Sequence, residues 1–102
     1  MILPSEEAAG PADNGIKFLP GQIVATTAAL AALTQSDIQS GLGRHLSGDW
    51  GDVCAEDKEE NERSLKVGCR LLSAYSGANG TKFWIITEWD RSYTTVLLPS
   101  DY

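Results

Sequence analysis

The chain has 102 residues, 42% of them apolar, and a formal charge of −6. That length and apolar content suit one domain with one ordinary core, needing neither disulfides nor metal as staples. The acidic balance argues against a general nucleic-acid binder, which needs clustered Lys and Arg at phosphates, and against attachment to an anionic membrane.

Residues 1–15 mix Pro, Gly, Ala and acids with no apolar period, which predicts a flexible N-terminal tail ahead of a single domain over 16–102. Gln22 to Ala25 is a short extended candidate after Pro20-Gly21, and Thr26 then caps a brief helix reaching Leu33. The apolar run Ile23 to Leu33 imitates a targeting signal, but it lies late, behind Glu6, Glu7 and Asp13, and is too short to span a bilayer. No leader and no membrane span are expected, and the cytoplasm is the expected compartment.

Thr34 with Asp37 three residues on fits a capping box, and Ile38, Leu42 and Leu46 recur at helical spacing, so a helix of about 12 residues follows. Gly41 and Gly43 weaken it, at roughly 0.5–1 kcal/mol for each interior glycine, unless a neighbour packs closely against them. Gly48 terminates it, and Asp49-Trp50-Gly51-Asp52 forms a compact turn. From Val53 to Ser64 good helix formers lack an apolar stripe, which predicts an exposed helix held at its ends. Residues 49–62 alone carry a net −6, against −2 before them and +2 after. Cys54 and Cys69 are too few and too far apart for a zinc site, and in the cytoplasm they read as reduced structural thiols.

The period changes near Leu65. Leu65, Val67, Cys69, Leu71, Ser73 and Tyr75 alternate with more polar positions, which predicts a strand, strongest from Cys69 onward. Asn79-Gly80 closes a turn, Phe83 to Thr87 reads as a central strand, and Tyr93 to Leu98 as a third strand stopped by Pro99. The expected fold is therefore α+β, with N-terminal helices packed on a C-terminal three- to four-stranded antiparallel meander sheet.

Four segments, RHLSGDWGDV, GCRLLSAY, KFWIITEWDRS and TTVLLPSDY, form a set. Over Gln22 to Tyr102 the chain resembles a family of short bacterial proteins carried on plasmids and other accessory elements. Trp89 departs from the pattern, where a small residue is expected before Asp90-Arg91-Ser92. Members of this family are sometimes labelled as a restriction-enzyme methylation subunit. The chain has neither a Gly-rich cofactor loop nor an Asn-Pro-Pro-Tyr-like motif, so methyltransferase activity is excluded. The resemblance implies a cytosolic accessory role rather than a particular chemistry.

Three groups of residues bear on function. His45, the one histidine, falls near a helix C-terminus, where Asp49 or Asp52 can orient it as a general acid or base; the same placement also suits a ring that caps the helix and packs on Trp50. Glu88, Asp90, Arg91, Ser92, Thr94 and Thr95 gather in a turn and strand start, where Arg91 suits an anion and equally suits a turn-stabilising pair with Asp90. The acidic stretch 49–62 reads either as a solvated helix or as a nucleic-acid decoy aimed at a host defence nuclease. No metal and no cofactor are expected.

The leading expectation is a non-enzymatic protein that binds another macromolecule, a protein, through Trp50, Asp49, Asp52, Trp89, Asp90, Arg91 and Thr94. Inhibition of a host defence system is one such role, and a homodimer is compatible with the aromatic content. The alternative is a small metal-independent ribonuclease with His45, Arg91 and Thr95 as its catalytic set.

Overall fold

The computed structural model describes residues 15–102, so the tail expected over 1–15 lies, apart from Gly15, outside the described residues. The chain runs β1 (Gln22–Ala25), α1 (Thr27–Ala32), α2 (Gln35–Leu46), α3 (Ala55–Val67), β2 (Leu71–Ser76), β3 (Lys82–Thr87) and β4 (Tyr93–Leu97), then a 3-10 turn at Pro99–Asp101.

Local chemistry accounts for the helix starts. Thr26 Oγ1 accepts the Ala29 N–H at the head of α1, and it donates to Asp101 Oδ2 at 2.7 Å, tying the 3-10 turn to the same point. Thr34 and Asp37 close the expected capping box on α2. α3 begins without a side-chain cap and ends at Gly68, whose φ of 80° is left-handed. Leu65 and Val67 are therefore the last turn of a helix and not, as their alternation predicts, the start of a strand.

The sheet corrects the expected topology. Its order is β1-β4-β3-β2, and β2·β3 and β3·β4 are antiparallel as a meander requires. β1, however, precedes the helices and returns to pair parallel with β4, so the sheet is mixed rather than antiparallel. The connection from β1 to its partner passes through all three helices and two strands, a pairing that no local pattern announces.

The helices cover one face of this sheet. Ala29 and Leu33 pack with Tyr75, Phe83, Ile85 and Val96, and Ile38 and Leu42 of α2 close over them. Gly41 brings α2 down onto β3: a Cβ there would stand 2.8 Å from Phe83 Cε2 and 3.1 Å from Ile85 Cδ1. α3 docks by a polar device, since the Asn61 amide accepts from Leu72 N–H at 3.2 Å and donates to Leu72 C=O at 2.7 Å. On the opposite face Trp84 meets Tyr102 edge to face at 5.6 Å, and Arg70 donates to the Tyr102 hydroxyl.

Candidate functional site

His45 sits on the last turn of α2 and is wholly buried, pressed against the sheet. Its Nδ1 meets Ser73 Oγ on β2, and its Nε2 meets Thr87 Oγ1 on β3 at 2.9 Å. Thr87 Oγ1 lies 2.7 Å from Thr94 Oγ1 on β4, and Thr94 donates to the Pro20 carbonyl at 2.7 Å. Each hydroxyl has one hydrogen, so the direction of the chain is determined from its end. The Thr94 hydrogen goes to Pro20, Thr87 must then donate to Thr94, and His45 Nε2–H must donate to Thr87. That leaves Nδ1 to accept from Ser73. The ring is neutral, with its hydrogen on Nε2.

Burial, reinforced by the positive charge of Arg91, pushes the His45 pKa down to about 4. The protonated form expected at a helix C-terminus is thus disfavoured, because desolvation outweighs the helix dipole. Neither Asp49 nor Asp52 orients the ring. Aromatic walls do: Phe18 approaches edge-on at 5.2 Å and Trp50 at 5.7 Å. The structural role foreseen for His45 holds in its packing on Trp50, whereas its polar partners are strand hydroxyls rather than helix carbonyls.

Trp50 is 4% exposed, which corrects its expected place on an interface. Its indole N–H donates to Glu62 Oε2 at 2.8 Å, fastening the turn to α3. Gly51 follows with φ 75°, and its Cα lies so close to the Ala74 carbonyl that any side chain there would collide. Asp49 pairs with Arg44 at 2.8 Å, which holds its carboxyl below the usual range. Its backbone carbonyl accepts from Tyr75 Oη at 2.6 Å. Asp52 is exposed.

Arg91 holds the β3–β4 turn. Its Nη1 donates to the carbonyls of Cys69 at 2.6 Å, Glu88 at 3.1 Å and Trp89 at 3.3 Å, and its Nη2 to that of Ser64 at 3.0 Å. Its guanidinium also lies 5.6 Å from the centre of the Phe18 ring. Its backbone is left-handed, φ 61°, a conformation that disfavours a side chain and that these contacts hold in place. The expected ion pair with Asp90 is not formed; Asp90 instead accepts the Ser92 N–H at 3.0 Å. With four carbonyls around it, the guanidinium is not presented to an external anion.

The outcome for the expected sites divides. His45, Thr94 and Trp50 are buried together, and Phe18 links them to Arg91. Thr95 pairs with Ile86 and Val24, on the opposite face of β4 from Thr94, so His45, Arg91 and Thr95 do not meet in one pocket. Trp89, 66% exposed, is the large aromatic that the clamped turn presents to solvent, beside exposed Asp90 and Tyr93.

Ser73, Thr87, Phe18 and Asn61 went unforeseen. Ser73 and Thr87 did carry a signal: each is a polar residue at an inward position of a strand, where the alternation calls for an apolar one. On the acidic helix, Glu62 holds Trp50, Glu60 pairs with Arg63, and Glu56 and Asp57 are exposed. Among the described residues no cluster of His, Cys, Asp and Glu could hold a metal ion, and no helix is long and apolar enough to cross a membrane. Comparisons with family models, curated proteins and solved structures found no match.

Proposed function

We propose that this chain is a non-enzymatic binding protein of the cytoplasm whose partner is another protein, engaged through Trp89. One observation carries the reading: a tryptophan two-thirds exposed stands on a turn fixed from beneath by the Arg91 guanidinium. A rigid aromatic anchor loses little freedom on docking, and such residues supply most of the energy of small interfaces. Glu88 and Asp90 flank it, so the fitting partner offers an apolar pocket with a basic rim. An accessory-element protein that restrains a host defence factor is one setting for such contact.

The sealed histidine supports the same reading against the ribonuclease alternative. Both its nitrogens are engaged inside the core, and general acid–base catalysis requires one within reach of substrate. The deciding experiment is affinity capture from a host lysate with the wild-type chain and Trp89→Ala, whose folds are compared by circular dichroism. A partner retained by the wild type through high salt and lost from the equally folded variant supports the proposal. Equal capture by both, or metal-free cleavage of RNA by the pure protein, overturns it.

A further inference from the structure

The two edges of the sheet are treated differently. On β2 the outward backbone groups of Leu72 and Ala74 are satisfied. Asn61 takes both polar groups of Leu72, Ala74 N–H donates to Trp50 C=O at 3.1 Å, and Asp52 N–H donates to Ala74 C=O at 2.8 Å. Gly51 makes a parallel bridge to Ala74 there, a one-residue fifth strand.

β1, at the other edge, has no such cover among the described residues. Gln22 N–H donates to Ser92 C=O and Thr26 N–H to Val96 C=O, each at 3.0 Å, and this fixes the alternation of the parallel ladder. The N–H and C=O of Ile23 and Ala25 point away from β4, and no described residue bonds them. Natural edges of this kind are commonly guarded by charge, bulge or proline within the strand. β1 has none of these, and Ile23 is 47% exposed.

We propose that β1 pairs with β1 of a second copy, antiparallel about a two-fold axis at Val24, to make a continuous eight-stranded sheet. The outward groups are self-complementary in that register. Ile23 faces Ala25 of the partner copy and Ala25 faces Ile23, which makes four hydrogen bonds, while Val24 meets Val24 as the close, non-hydrogen-bonded pair. Charge also selects a second copy. In a chain of net −6, Phe18 to Ser36 contains no charged side chain, and the acid beside the end of the strand, Asp101, has its carboxylate engaged by the Thr26 hydroxyl and the Leu98 N–H, so like molecules approach there with little repulsion. This pairing does not depend on Trp89.

Sedimentation of the full chain over a concentration series tests it. A species of twice 11.0 kDa is expected, and Ile23→Lys should raise its dissociation constant at least tenfold. Val24→Cys, with Cys54→Ser and Cys69→Ser, should form a disulfide-linked dimer under oxidation, because the paired Cα atoms stand about 4.5 Å apart. Lys66→Cys in the same background should not. Amide exchange at Ile23 and Ala25 should slow with concentration. A chain monomeric up to millimolar concentration overturns the proposal. Fast exchange there would leave the edge for a strand of another protein, and slow exchange would show it covered within the chain. A dimer indifferent to Ile23→Lys and uncrosslinked by Val24→Cys uses another surface, and overturns it too.

Discussion

His45 shows how a single side chain can bind a helix to three strands without being available for chemistry. Its unfolded-state pKa is near 6.5 and its folded value about 4, so between these limits the unfolded chain binds the extra proton. Stability from this residue is therefore complete above pH 6.5 and declines as the pH falls toward 4. Over that interval the full loss is about 3 kcal/mol, at 1.36 kcal/mol per pH unit. Asp37, Asp49, Asp90 and Asp101 have carboxyls held below 3.8, so what they contribute is lost at lower pH than the histidine window. Urea midpoints measured from pH 7.5 to 4.5 should fall for the wild type and stay nearly level for His45→Gln, which starts lower. Imidazole nitrogen shifts should place the hydrogen on Nε2. Arg91 makes a second residue-scale case. Arg91→Lys keeps the charge and the left-handed backbone but loses the planar fork, so a stability loss of about 1.5–3 kcal/mol is expected in urea, the range for hydrogen bonds to a charged group. Capture through an unaltered Trp89 should weaken with it, because its turn is no longer held.

At the scale of elements, the two glycines of α2 separate helix propensity from packing. Gly43 has no neighbour within 4 Å of an added Cβ, so Gly43→Ala should stabilise by about 0.5–1 kcal/mol, the propensity gain alone. Gly41→Ala receives the same gain but drives its methyl into Phe83 and Ile85, and overpacking costs about 1–3 kcal/mol. The net effect should be destabilising, and thermal midpoints of the two variants should move in opposite directions. The contrast also marks what could be read in advance. The caps made by Thr26, Thr34 and Asp37 engage backbone groups three residues away and were legible. So was the alternation through Phe83 and Ile85. Leu65 and Val67 misled, because an i, i+2 pair is also compatible with the end of a helix, and only Gly68 and the docking of Asn61 and Ser64 decide the case. The surroundings of His45 were illegible for a different reason: Ser73 and Thr87 are 28 and 42 residues away, and only the fold brings them together. Trp50 was misplaced on the surface because the turn holding it packs inward against α3, through a Glu62 that composition alone assigns to solvent.

For the whole molecule, the uneven placement of charge makes the proposed dimer respond to salt in a defined way. Two copies of net −6 repel at long range, and the repulsion originates largely in residues 49–62, outside the neutral segment from Phe18 to Ser36. Backbone hydrogen bonds and apolar contacts at β1 are little affected by moderate salt, while repulsion beyond about 8 Å is screened at physiological ionic strength. Raising salt should therefore tighten self-association, with a dissociation constant that falls between low and moderate ionic strength in sedimentation runs. Capture of a basic-rimmed partner at Trp89 should move the other way in its rate of association, since that encounter is steered by the acids that hinder self-association. Opposite salt responses from one preparation would thus locate the two contacts on different parts of the surface. A dimer that weakens with salt would instead require acids and bases to meet across its interface, which the uncharged edge of β1 does not allow.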